Sequence, residues 1–117
     1  MANFYFCETC GNVFTSQTPA TVNCCGKTWN PLPISPDPND KHKLDIAVEN
    51  GKRVFTMHHP QIDGHYFTFI AFVRNDSGRI KIQTYKPNEE VRFEIPEDKH
   101  GKIYWHCNLH GMYELDI

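Results

Sequence analysis

Four cysteines, Cys7, Cys10, Cys24 and Cys25, fall within the first 25 residues of a 117-residue chain. No other feature narrows the fold as much, because a segment that short cannot bury a self-sufficient core. Chains below about 40 residues usually need a metal or disulfides to hold together. The chain has five Cys in all, the fifth being Cys107 near the end, and seven His. Its start, Met-Ala-Asn-Phe-Tyr-Phe-Cys, shows no basic segment followed by an apolar one, so a cytoplasmic protein is expected. An odd number of thiols in that compartment argues against a disulfide framework. Reduced Cys and neutral His are instead ligands for soft to borderline metals.

Composition removes other classes. Twelve Lys+Arg against fourteen Asp+Glu leave a formal charge of -2 with no basic run, so nucleic acid is not an expected partner. The longest apolar stretch, Phe69 to Val73, is far short of a bilayer span, and no membrane association is expected. An apolar share of 39% is enough for a packed core.

Pro31, Pro33, Pro36 and Pro38 fall within eight residues, which suits an extended connection and excludes a helix. The expected division is a four-Cys metal-binding segment over residues 1–35 and a second domain over 36–117. The second part reads as β throughout. Leu44, Ile46 and Val48 alternate with polar residues, and Asn50-Gly51 is a two-residue hairpin signal. Pairing across it sets Val48 opposite Arg53, Ile46 opposite Phe55 and Leu44 opposite Met57, with one face mostly apolar. Residues 65–74 are β-rich on both faces, as in a central strand. Asn75-Asp76-Ser77-Gly78 turns the chain. Ile80 with Ile82, then Val91 to Ile95, Ile103 to Cys107 and Tyr113 to Ile117 supply further strands. Six or seven short strands with frequent turns predict a β-sandwich.

Two groups of residues carry chemistry. Cys7-x2-Cys10 followed by Cys24-Cys25 offers four thiolates, enough for a closed tetrahedral site. Neighbouring side chains in an extended segment point apart, so Cys24 and Cys25 share an ion only if the backbone bends sharply, as Gly26 permits. Free buried thiols are the less favoured alternative, and zinc and iron are both open. Downstream, His58-His59-Pro60, His65-Tyr66 and Cys107-Asn108-Leu109-His110-Gly111 put His and one thiol at strand ends and loops. Any single His is better read as surface decoration, but His59, His65, Cys107 and His110 jointly point to a metal site at the sandwich rim. His106, next to Cys107 in a strand, is expected to face the other way.

With these motifs, the sequence resembles desulfoferrodoxin, the two-iron form of superoxide reductase, over essentially its whole length. Cys7-Glu8-Thr9-Cys10-Gly11 with Cys24-Cys25-Gly26 is similar to the family's desulforedoxin-like segment. The family's Glu-Lys-His falls on Asp40-Lys41-His42, its His-Pro on His59-Pro60, its His-Tyr on His65-Tyr66 and its Cys-Asn-x-His-Gly on Cys107 to Gly111. Asp40 replaces a longer glutamate, and Lys43-Leu44 stands where Val-Pro is common.

The resemblance implies an all-β fold, a small desulforedoxin-like metal-bound segment followed by an immunoglobulin-like β-sandwich. It implies two mononuclear irons per chain, one held by Cys7, Cys10, Cys24 and Cys25, with zinc as the alternative there. The other would be held by the imidazoles of His42, His59, His65 and His110 and the axial thiolate of Cys107. It further implies reduction of superoxide to hydrogen peroxide, with Lys41 steering the anion and Asp40 capping the resting iron. A rubredoxin-like or other electron donor and a homodimer complete the expectation. Two other classes stay open on the residues alone. One is a non-catalytic iron electron-transfer protein; the other is an interaction module made of a zinc knuckle and a sandwich.

Overall fold

The computed structural model describes residues 2–36, 43–57 and 61–117. Asp40, Lys41, His42, His58 and His59 lie outside the described residues. Among the described residues every regular element is a strand, and no helix is long and apolar enough to cross a membrane.

The cysteine-bearing segment, for which no strands were anticipated, consists of two small hairpins. β1 (Asn3–Phe6) pairs with β2 (Val13–Ser16), and β3 (Val22–Cys24) pairs with β4 (Lys27–Trp29). The rest is a two-layer sandwich. One sheet has β5 (Asp45–Glu49), β6 (Lys52–Thr56) and β9 (Arg92–Pro96) in the order β5-β6-β9. The other has β7 (Phe67–Arg74), β8 (Ile80–Thr84), β10 (Gly101–Cys107) and β11 (Gly111–Asp116) in the order β11-β10-β7-β8.

The expected hairpin at Asn50-Gly51 forms, with both residues at positive φ, as a two-residue turn between twisted strands requires. Its register sets Ile46 opposite Phe55 and Val48 opposite Arg53, as the alternation predicts. Leu44 and Met57 lie beyond the last paired residues, Asp45 and Thr56, yet both pack on the same core. The apolar face of β5 is less used than that of β6. Ile46 and Val48 are 45% and 59% exposed, because β5 is an edge strand, whereas Val54 and Phe55 are buried.

Between the sheets, Phe55, Phe72, Phe93, Ile103 and Trp105 form the main core. β7 is buried along most of its length, as a central strand with both faces covered must be. Its other face packs on the first segment. Phe4, fully buried, sits with Phe69, Ala71, Tyr104 and Met112, its ring 4.8 Å from Tyr104 and 5.7 Å from Phe69. A backbone bond continues the attachment. Ser35 N–H donates across to Met112 O at 2.7 Å, while Leu32 N–H donates to Phe4 O at 2.8 Å within the segment. The first segment therefore borrows its core from the sandwich, which answers the size problem posed by its length. Phe4→Ala is expected to destabilise the chain by about 3–5 kcal/mol, because it empties a packed site. Urea unfolding followed by Trp fluorescence measures this. A loss below about 1 kcal/mol would mean that the two parts fold separately.

Candidate metal centres

The Cys7–Cys10 loop follows β1 and closes on itself. Gly11 N–H donates to Cys7 O at 2.8 Å and Cys7 N–H to Asn12 O at 2.9 Å, with Gly11 at φ +80°. The other two cysteines meet through turn chemistry. Cys24 ends β3, and Cys25-Gly26 form a two-residue hairpin loop with φ +55° and +74°. This left-handed conformation is unusual for a residue with a Cβ. It supplies the sharp bend that an adjacent pair needs.

The four sulfurs lie within 4.8 Å of one another, with Cys10 to Cys24 at 3.6 Å and Cys24 to Cys25 at 3.9 Å. Tetrahedral metal–sulfur bonds of roughly 2.3 Å would set sulfurs about 3.8 Å apart. All five cysteines are free thiols, so the group fits a thiophilic metal. Its ionisation is uneven. At Cys7, burial raises the pKa, but hydrogen bonds from the Cys10 and Thr9 amides and from neighbouring thiols bring it down to about 6. At Cys24, the hydrogen bond with Cys10 and then burial push it up to about 12. Four thiolates this close cannot all ionise without a cation, so metal uptake must release protons and weaken in acid.

The second group lies at one end of the sandwich. Ligand atoms of His65, Cys107 and His110 lie within 4.8 Å of one another. Cys107 Sγ is 3.5 Å from His110 Nδ1, and the rings of His65 and His110 are 5.0 Å apart at 62°. Cys107 is wholly buried, His65 intermediate and His110 exposed, so the group runs from core to surface. Burial raises the Cys107 thiol above its usual range, while hydrogen bonds from the Leu109 and His110 amides act the other way. One buried thiol with two imidazoles is a donor set suited to iron or zinc.

A β-bulge builds this end. His106 pairs with Phe69 but Cys107 pairs with Phe67, leaving Thr68 as the extra residue on β7. The slip turns Phe67 onto the main core along with Ile70. Thr68 Oγ1 donates to His106 O at 3.2 Å and lies 2.5 Å from His106 Nδ1. His106 faces away from Cys107, as the strand alternation predicts, with its ring 5.4 Å from Phe69 and 5.1 Å from Phe6. His100, in the second Asp-Lys-His string, immediately precedes Gly101 at the opposite end of β10, and its Nδ1 is 3.3 Å from Arg53.

Two residues whose contacts sequence reasoning missed organise the site. Asn108 Oδ1 accepts from Tyr66 N–H at 3.0 Å, and its Nδ2 donates to Gly64 O at 3.1 Å. Gln61 Oε1 accepts from Phe67 N–H at 2.6 Å. The Cys-Asn-x-His-Gly string displays Asn108, but its partners are more than 40 positions away and carry no signal for it.

A family model described as desulfoferrodoxin matches residues 28–116. The chain belongs to the desulfoferrodoxin family. The matched stretch contains His65, Cys107 and His110 and begins after the fourth cysteine. A desulfoferrodoxin from Clostridium acetobutylicum is 28% identical over 82 residues, covering 67% of this chain and 63% of that protein. The chain thus spans less than two thirds of that relative's length. The superoxide reductase from Treponema pallidum has the same fold, with a TM-score of 0.78 over 98% of this chain and 97% of that one, at 18% identity. In this desulfoferrodoxin-family fold, the three described residues of the second group come together on the sandwich and the four thiols on the smaller segment.

The buried His106 gives the metal-free chain an acid limit. Burial pushes its imidazole down from 6.5 to about 4. The unfolded chain therefore takes up the proton first. The contribution is full above pH 6.5 and drains as pH falls toward 4, about 3 kcal/mol in all. Urea unfolding between pH 7 and 4 should show this slope, and His106→Gln should flatten it. An equal slope in that variant would assign the acid limit elsewhere.

Proposed function

We propose that the chain is a superoxide reductase acting at one mononuclear iron held by His42, His59, His65, Cys107 and His110. One observation carries the reading. In a desulfoferrodoxin-family chain, an imidazole at position 65 meets a thiol and a second imidazole 42 and 45 positions later, within 4.8 Å. Bound there, iron supplies one electron in passing from ferrous to ferric, so that superoxide with two protons becomes hydrogen peroxide.

The protein's residues have separable tasks. Cys107, buried and bonded by the Leu109 and His110 amides, would lose its proton to a bound metal and hold it through a thiolate protected from solvent. His65 and His110 set imidazoles nearer the surface. Lys41 draws a small anion toward the site in a chain of net charge -2 and orders the water that delivers a proton. Asp40 caps the resting site. The four thiols of the 1–35 segment hold a second mononuclear iron, with zinc as the alternative, outside the path of substrate that the 36–117 domain handles. The working unit is a cytoplasmic homodimer, re-reduced by a rubredoxin-like donor.

Pulse radiolysis on the iron-loaded chain tests the reading. One hydrogen peroxide per superoxide, with no dioxygen formed, is expected. Dioxygen evolution, or no reaction, would overturn it. Lys41→Ile should slow the second-order step by about tenfold and flatten its dependence on ionic strength. An unchanged rate would remove Lys41 from steering.

A further inference from the structure

We infer that Asn108 is a positioning residue for the second metal centre, its side-chain amide holding the segment that carries His65 against the loop that carries Cys107 and His110. The inference rests on reading that group as a metal centre. His65 lies before the start of β7 at Phe67, so the sheet's ladder does not set its place. It belongs to a tight turn instead. His65 N–H donates to Ile62 O at 3.1 Å, Ile62 N–H donates to His65 O at 3.2 Å, and Gly64 takes φ +82°.

Asn108 grips this turn on both sides of His65. Its Nδ2 donates to Gly64 O, its Oδ1 accepts from Tyr66 N–H, and its own backbone N–H donates to Tyr66 O at 3.2 Å. With a carbonyl on one side and an N–H on the other, only one orientation of the amide satisfies both. Asparagine is the shortest side chain that carries a donor and an acceptor on two separate atoms. Aspartate keeps the acceptor but sets a carboxylate oxygen against the Gly64 carbonyl, and alanine leaves both backbone groups unmet. Three bonds from one residue, which itself sits between Cys107 and His110, thus fix the separation of His65 from both.

Cobalt(II) titration of the full chain tests this, with the four-thiol group as control in the same molecule. Tetrahedral four-sulfur cobalt absorbs strongly in the d–d region, so the two sites are followed apart. Asn108→Ala should weaken cobalt binding at the His65–Cys107–His110 group by about 10–100-fold, the usual cost of losing an outer partner of metal ligands. Affinity at the four thiols should not change. Asn108→Asp, of equal volume, should fall between and serves if the alanine variant does not fold. Unchanged affinity in the variants would overturn the inference, and so would equal losses at both groups, which mark general unfolding. A wild-type chain that takes cobalt only at the four thiols would defeat the metal-centre reading itself.

Discussion

Replacing Cys107 with Ser is expected to lower the proposed superoxide reduction by more than about 100-fold, exceeding the 10–100-fold typical for partners outside the ligand set. Serine keeps the shape but offers a hard hydroxyl that stays protonated, where a soft thiolate is needed. The position is also fully buried, so the hydroxyl sits where water cannot replace the metal. On the two-iron reading proposed above, the iron count should fall from two per chain to one. Visible absorption from the thiolate at this site should vanish while that of the four-thiol group remains. The four sulfurs lie in the separate hairpin segment, which this change does not touch. A variant that keeps both metals and its rate would show that Cys107 is not a ligand.

The second large effect is structural. Gly101→Ala is expected to cost about 3 kcal/mol or more, at the upper end for overpacking. A Cβ at Gly101 would stand 2.0 Å from Val73 O and 2.9 Å from Val73 C, both backbone atoms of the neighbouring β7. Neither can swing aside as a side chain does, and β10 and β7 are central strands of their sheet. The contrast is Gly26, where nothing lies within 4 Å of an added Cβ and only its φ of +74° resists a side chain. Equilibrium urea unfolding of both variants measures the difference, with Gly26→Ala expected to cost about 1 kcal/mol. Equal costs would mean that β10 shifts away from β7 to make room.

Local rules explain what was legible. Asn50-Gly51 announces its hairpin because two residues at positive φ suit that dipeptide, and period-two alternation then sets Ile46 against Phe55. Among the described residues from 45 to 116 there are seven strands, in keeping with the six or seven short ones that the alternation predicts. The same turn chemistry operates at Cys25-Gly26, where the need for a bend was visible but the two hairpins of the first segment were not. Those strands are three or four residues long, too short for alternation to register. His106 faces away from Cys107 because adjacent residues in a strand point to opposite faces.

From the sequence alone come the strands of the sandwich, its turns and the short motifs that carry the four thiols, His65 and Cys107 with His110, because each depends on neighbours close along the chain. Only the folded chain decides that Phe4 completes the outer core, that Thr68 is the bulge beneath the site and that Asn108 ties Gly64 and Tyr66. Those contacts join residues roughly 40 to 100 positions apart, and their energies depend on distances and orientations that no local pattern of residue types encodes.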